Sequence, residues 1–146
     1  MWRLALFAAA LAAFMVWERL APCRARSAPV ARRWLSNLGM SVLNRVLLQF
    51  LPLAAASLWA QQHTFGMFNH LNTALWLQVL SCVVVLDLVI YCQHRLFHKI
   101  PCLWRLHRMH HADPDFDVTT GVRFHPLEAL LSAAIKALAV VTLGPM

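Results

Sequence analysis

Long apolar stretches alternate with short arginine-bearing stretches along this chain. Four apolar stretches stand out, at 4–17, 46–60, 71–92 and 127–143. None of them alternates with the two-residue period of a β-strand, so each one predicts a helix. A membrane crossing needs about 20 apolar residues, so 71–92 is long enough, whereas 46–60 is short unless 40–43 extends it. The pattern predicts an all-α integral membrane protein with about four transmembrane or membrane-embedded helices.

The first apolar stretch fits two descriptions, a secretory signal peptide or a membrane-spanning anchor. Its downstream flank is rich in arginine, which favours a stop-transfer anchor. The arginines concerned are Arg19, Arg24, Arg26, Arg32 and Arg33. We therefore expect an anchor helix with a basic cytoplasmic loop at 1–45, followed by a larger helical region at 46–146.

The charge distribution predicts the orientation of the helices. Of the 146 residues, 60% are hydrophobic and 13% charged, which indicates lipid as the main solvent. The formal charge of +7 flanks the apolar stretches and forms no stripe, so no nucleic-acid partner is expected. Stretches 18–45 and 93–126 carry arginine or lysine, and 61–73 carries none. By the positive-inside rule the first two face the cytoplasm and the third faces outward.

The histidines concentrate just beyond the third apolar stretch. His94 and His98 form an HxxxH, and a short following helix carries an HxxHH made of His107, His110 and His111. Residues three or four apart share one face of a helix, so their rings can converge on a metal ion. Polar clusters at a membrane boundary are expensive unless they are functional. The five imidazoles therefore predict a metal site on short cytoplasmic helices.

Two polar residues upstream continue the helix face that carries His94 and His98. They are Asp87 and Tyr91, which lie about two turns and one turn before His94 along the apolar stretch. We expect Asp87 to bond the outward ring nitrogen of a ligating histidine and so fix its tautomer. The alternative is an ion pair between Asp87 and an arginine of a neighbouring helix.

The remaining candidate residues are at the start of the fourth stretch and in the outward loop. Glu128 suits the positive end of a helix, which is a structural role sufficient by itself. His125 precedes this helix and either faces the metals or bonds locally. His63 and His70 lie in the outward loop, across the membrane from the other histidines, and are expected to be interfacial side chains.

These ordered motifs resemble the fatty acid hydroxylase and sterol desaturase superfamily. The matching stretches are LDLVIYCQHRLFH (86–98), LWRLHRMHHADPDFDVTTG (103–121) and RFHPLE (123–128). Members bind two metal ions, usually taken as iron, through three histidine boxes. They use O2 and external electrons to hydroxylate or desaturate lipids.

The resemblance implies roles for individual residues. The first two boxes would be His94 with His98, and His107 with His110 and His111. Residues His125, Asp87, Tyr91 and Glu128 are further candidates for binding the metals or for bonding to their ligands. A third box is expected after the fourth stretch, so we expect 46–146 to be a partial hydroxylase domain and the chain to be a fragment, inactive alone.

The implied enzyme is a membrane-bound oxidoreductase of lipid biosynthesis. Its cofactors would be two non-haem iron ions, with O2 as co-substrate. Its partners would be a lipid substrate and an electron-donor protein such as a cytochrome or ferredoxin. The competing hypotheses are a metal transporter, which predicts ligands at the bilayer midplane, a bis-histidine haem protein, and a non-catalytic metal-binding subunit.

Overall fold

The computed structural model describes residues 2–52, 66–71 and 73–144, and the regular secondary structure in these ranges is helical. These ranges contain five α-helices, α1 (Trp2–Leu20), α2 (Val30–Gln49), α3 (Leu75–Lys99), α4 (Pro101–His111) and α5 (Pro126–Leu143). Short 3₁₀ turns occur at Met67–His70 and Thr120–Val122. Within the described ranges there is no strand, which confirms the all-α prediction.

Two of these helices, α3 and α5, are long and apolar enough to cross a membrane. Large apolar side chains of α3 are exposed rather than packed inside the protein, among them Leu75, Trp76, Val79, Leu80, Val83 and Val84. Such a surface is stable in lipid and costly in water. The prediction of a membrane protein is therefore supported, whereas two spanning helices, not four, are found in the described ranges. Most of the second predicted stretch, 53–60, lies outside them.

The helix boundaries follow from proline and glycine. Ile100 is extended and Pro101 is the first residue of α4, so α3 and α4 meet at a corner. Pro126 likewise begins α5, where its missing N–H has no helical partner to lose. At the other end, Gly144 adopts a left-handed conformation with φ of 67° and ends the helix. The Met67–His70 turn packs near this end, where Gly66 approaches the backbone of Gly144.

Helix α2 is the element that the sequence patterns missed. The arginine-bearing stretch was expected to be a loop up to residue 45, but Val30–Gln49 is a continuous helix. It packs against α5, and its buried polar residues Arg33, Asn37 and Asn44 face the rest of the protein. The predicted division between 45 and 46 therefore falls inside one helix. A buried polar face of this kind has no apolar periodicity, which is why hydropathy did not reveal it.

Helices α3, α4 and α5 pack around the corner at Ile100. Phe97, on the last turn of α3, is 1% exposed and contacts the ring of His107 on α4. Glu128 of α5 reaches the same histidine. The apolar core of the described residues is thus small, and Phe97 is the part of it that lies behind the histidines, whereas Phe68 and Leu143 are buried at the other end of α5.

Candidate metal centre

Four of the histidines converge between α3 and α4. One ring nitrogen from each of His94, His98, His107 and His111 lies within 4.8 Å of the other three. The Nε2 atoms of His94 and His98 are 3.2 Å apart, and those of His107 and His111 are also 3.2 Å apart. Each pair comes from residues four apart on one helix, and the corner at Ile100 turns the two pairs toward each other. The cluster thus contains the whole HxxxH and two histidines of the HxxHH.

Glu128 fixes the orientation of the one buried ring in the cluster. Its Oε1 is 2.6 Å from Nδ1 of His107, and the exposed fractions of the two residues are 3% and 1%. A carboxylate on Nδ1 holds the hydrogen there, so Nε2 keeps its lone pair facing the other histidines. Among the candidates for bonding to a ligand, Glu128 is therefore the residue that the structure places against a clustered histidine.

Two histidines of α4, His107 and His111, have lowered pKa values and are held neutral. Burial lowers the pKa of His107 to about 4, with further lowering from the nearby rings of His98 and His110. Burial and the neighbouring histidines also lower the pKa of His111. Because a metal binds the unprotonated nitrogen, rings that stay neutral at pH 7 are available as ligands without first losing a proton.

His110 lies beside the cluster rather than in it. Its ring stacks on Phe124, with centroids 5.0 Å apart and planes 5° from parallel. Its Nδ1 is buried and has no hydrogen-bond partner among the described residues. A buried nitrogen without a partner is unfavourable. Ring stacking sets this orientation, which the HxxHH spacing alone does not specify.

The other candidate residues lie away from the four clustered nitrogens. His125 Nδ1 accepts a hydrogen bond from the N–H of Leu127 and so caps α5, which is the local role. The Tyr91 hydroxyl accepts a hydrogen bond from Arg95, 3.1 Å away. Asp87 is exposed on α3, with neither of its two expected partners within bonding distance in the described ranges. His70 ends the turn near Gly144, and His63 lies outside the described residues.

An acidic loop between α4 and α5 is anchored on the N-terminal part of the chain. Arg33 bonds both oxygens of Asp113, at 2.6 and 2.9 Å, and also contacts Asp117 at 3.0 Å. Asn37 adds a bond of 2.7 Å to Asp113, and Asp115 accepts the backbone N–H of Ser27. These partners are about 80 positions apart in sequence, and no local spacing signals them. The network fixes the chain immediately after the HxxHH.

The acids of this loop are ionised despite their burial. Burial opposes ionisation of Asp113, but hydrogen bonds from Arg33, Thr120 and Asn37 outweigh it and hold its pKa below the usual value. The pKa of Asp117 is lowered in the same way, where bonds from Thr119 and Trp34 outweigh desolvation. The loop is therefore a set of buried carboxylates held by matching donors.

A cavity of about 420 Å³ borders the cluster between α2, α3 and α5. His94 and Glu128 line it, and so do the cationic residues Arg45 and Lys136. Its remaining lining is mostly apolar, including Leu48, Ile90, Phe97, Phe124 and Ala133. The volume is within the range of about 300 to 1,000 Å³ that is usual for small-molecule sites.

The fold and the site together define a class, membrane-associated helical proteins with histidines clustered at the end of an apolar helix. Comparison with known proteins shows which family this chain resembles. Residues 79–146 match the family model described as fatty acid hydroxylase. The matched residues include α4, α5 and all five histidines of the two boxes. The relationship predicted from the motifs is thereby confirmed.

Two curated relatives agree with this assignment. Fatty acid hydroxylase vlmA of Lecanicillium sp is 50% identical over 38 residues, which are 25% of this chain and 10% of that protein. Ornithine lipid hydroxylase OlsE of Rhizobium tropici is 27% identical over 118 residues, which are 79% of this chain and 35% of that protein. The chain thus spans about a third or less of the relatives it matches. No solved structure matches it significantly.

Proposed function

We propose that this chain forms part of a membrane-bound di-iron oxidoreductase that hydroxylates or desaturates a lipid with O2. The observation that carries the proposal is the convergence of four imidazole nitrogens within 4.8 Å, in a segment that matches the fatty acid hydroxylase family. Both named relatives are hydroxylases, one of them of an ornithine lipid. A lipid substrate also suits a site at the end of two apolar helices.

The spacing of the histidine nitrogens suits metal ligation. Two nitrogens bound to one ion at about 2.1 Å lie about 3.0 Å apart at a right angle and about 3.4 Å apart at the tetrahedral angle. The two Nε2 pairs, each at 3.2 Å, fall between these values. Each helix supplies one such pair, so two neighbouring ions could each take a pair. Neutral imidazole is a suitable ligand for iron, copper or zinc.

Iron would supply the oxidising power that no side chain has, by activating O2 for attack on an unactivated C–H bond. Hydroxylation inserts one oxygen atom into the C–H bond. The second oxygen atom leaves as water, after two electrons from an external donor and two protons. Desaturation removes two hydrogens from the lipid and also consumes two external electrons and two protons, so both oxygens leave as water. A cytochrome or a ferredoxin would be a suitable donor.

The residues of this chain position and shield the reaction. His94, His98, His107 and His111 would hold the ions, and Glu128 keeps the ring of His107 in its ligating orientation. Phe97 and Phe124 line the cavity and also contact the rings of His107 and His110, so they add apolar surface beside the cluster that would limit water near the reacting carbon. The acidic loop, held by Arg33, keeps the end of α4 in place.

The site would face the cytoplasm. Contacts such as Arg33 with Asp113 and Glu18 with the backbone of Val118 join the two arginine-bearing stretches, which supports their lying on the same side of the membrane. Their shared positive charge favours the cytoplasmic side. A donor protein could then approach from the cytoplasm while the lipid enters from the bilayer.

The test is metal content and lipid oxidation in the protein that carries this segment, purified in nanodiscs. We expect two iron ions per protein and O2-dependent addition of one oxygen to, or loss of two hydrogens from, a bilayer lipid. His98→Ala should abolish both, whereas His70→Ala, at the other end of α5, serves as the matched control. Zinc alone with no turnover after iron loading would refute the oxidoreductase and favour a non-catalytic metal-binding protein.

A further inference from the structure

The cavity beside the cluster has two chemically different ends. Glu128 and Lys136 both line it from α5, and eight residues of helix separate them, a distance of about 12 Å. His94 lies with Glu128 at the first end, and Arg45 from α2 lines the cavity as well. The cavity is therefore long enough to hold part of a lipid between a cationic region and the histidines.

The two cations lack partners inside the described protein. Neither Arg45 nor Lys136 forms a hydrogen bond or an ion pair with any residue of the described ranges. The carboxylate that also lines the cavity, Glu128, is bonded through Oε1 to His107. Ionised residues on a membrane-spanning helix are rare because they are expensive, and they usually serve a substrate or an ion. An anionic group of a ligand would match this region.

Asn44 brings a buried hydrogen-bond acceptor without a partner to this cavity. Its Nδ2 donates to the carbonyl oxygen of Phe124 at 2.9 Å, and because a carbonyl only accepts, this bond fixes which amide atom is which. Asn44 lines the cavity, and its Oδ1 atom is buried and has no partner among the described residues. Asn44 as a whole is 6% exposed. A buried acceptor without a partner is unfavourable, so a ligand with an N–H or O–H donor would satisfy it.

Gln93 also borders the cavity, but its contacts do not show whether a ligand would donate to it or accept from it. Its Nε2 is 3.0 Å from the hydroxyl of Ser132, which can donate or accept, so either amide orientation would be satisfied. The rest of the lining is apolar, with Leu48, Ile90 and Ala129 among its members. Apolar walls of this kind suit an acyl chain.

We propose that this cavity binds an anionic acyl lipid whose head group carries an N–H or O–H donor. Arg45 and Lys136 hold the anion, Asn44 accepts from the donor, and the acyl chain lies along the apolar wall that also carries His94. This inference deepens the proposed function and rests on it, because it names the class of lipid that would reach the metal centre.

Binding to the metal-free chain in phosphatidylcholine nanodiscs tests the ligand class. The labelled probe is N-palmitoylglycine, which has a carboxylate and an amide N–H. The competitors are 2-hydroxypalmitate, with a carboxylate and an O–H, O-palmitoylglycolate, which replaces the N–H by an ester oxygen, and N-palmitoylglycine methyl ester, which lacks the anion. Empty nanodiscs give the background partitioning.

We expect N-palmitoylglycine to bind about three- to tenfold more tightly than O-palmitoylglycolate, the range for one net hydrogen bond. The methyl ester should bind about tenfold more weakly still. Better competition by 2-hydroxypalmitate than by O-palmitoylglycolate shows that an O–H also serves. If O-palmitoylglycolate binds as tightly as N-palmitoylglycine and 2-hydroxypalmitate, the role of Asn44 is overturned. If N-palmitoylglycine methyl ester binds as tightly as N-palmitoylglycine, the role of the two cations is overturned.

Variants then assign the residues. Arg45→Gln and Lys136→Gln should each weaken N-palmitoylglycine about tenfold and leave its methyl ester unchanged, whereas Arg32→Gln, exposed on the same helix as Arg45, should change neither. An equal loss in Arg32→Gln would overturn the proposal, because surface charge would then suffice. The readout needs neither metal nor turnover, so a failed oxidation assay would leave a positive binding result standing.

Discussion

Replacing Arg33 by methionine tests whether the acidic loop depends on α2. The side chain of Arg33 is 5% exposed and makes three hydrogen bonds, two to Asp113 and one to Asp117, at 2.6 to 3.0 Å. Methionine approximates the length of the arginine stem but offers no donor. The substitution therefore leaves two buried carboxylates with fewer partners and no compensating charge.

Removing one partner of a buried ion pair costs about 3–5 kcal/mol. Asp113 retains bonds from Asn37 and Thr120, both at 2.7 Å, so we expect the lower end of this range. A loss of about 3 kcal/mol lowers the folding equilibrium constant roughly 150-fold. The double variant Arg33→Met with Asp113→Leu should recover much of the loss, because a matched apolar pair is often as stable as a buried ion pair.

The assay is reversible unfolding in mixed micelles, followed by tryptophan fluorescence and by far-UV circular dichroism. Trp34, one of six tryptophans, donates to Asp117 at 3.1 Å, so its contribution to the fluorescence reports on the loop. Arg32→Met is the matched control, since Arg32 is the exposed neighbour on the same helix. A surface substitution changes the free energy of unfolding by about 0.5 kcal/mol or less. If the unfolding free energies of Arg33→Met and Arg32→Met differ by no more than this, the loop does not depend on the ion pair.

Three further predictions concern the same region. Glu128→Leu should weaken Co²⁺ binding about 10- to 100-fold in a spectroscopic titration, as loss of a partner to a metal-bound histidine does, and an unchanged affinity would contradict this. Because the pKa values of Asp113 and Asp117 are lowered on folding, the stability that these two carboxylates contribute is complete above about pH 4 and is lost at lower pH. The free energy of unfolding, measured as the pH is lowered, should therefore fall below about pH 4, and it should fall less steeply with pH in Asp113→Asn. His125→Ala should cost about 1 kcal/mol of unfolding free energy through loss of the α5 cap, and His125→Asn should restore it.

Helix pitch alone predicted most of the candidate centre. The spacing of His94 with His98 and of His107 with His111 places each pair on one face of its own helix. The structure adds the corner at Pro101, which turns the two pairs toward each other. The same rule also grouped His110 with them, but its ring turns to stack on Phe124. Ring orientation depends on neighbours from other parts of the chain, which spacing does not describe.

The N-terminal half was harder to predict for a related reason. Polar residues of α2 such as Arg33 and Asn37 are buried because carboxylates far along the chain pair with them. Hydropathy treats these residues as solvent-exposed and therefore predicted a loop. The bond expected between Asp87 and a histidine is not formed among the described residues, because Asp87 lies on an exposed face of α3. Hydropathy does not show which distant residues pair, as in the first case, or how a helix is rotated about its axis, as in the second.

The unequal lengths of α3 and α5 make the site sensitive to bilayer thickness. With 25 and 18 residues, the two helices extend about 37 Å and 27 Å, against a hydrocarbon layer of about 30 Å. Helix α3 exceeds α5 by seven residues, about two turns, and the last two turns of α3 bear His94 and His98. A layer thicker by a few ångströms would draw these imidazoles into hydrocarbon unless α3 became more upright or the lipid thinned around it. The height of the histidines above the lipid tails is thus set by the membrane as well as by the protein.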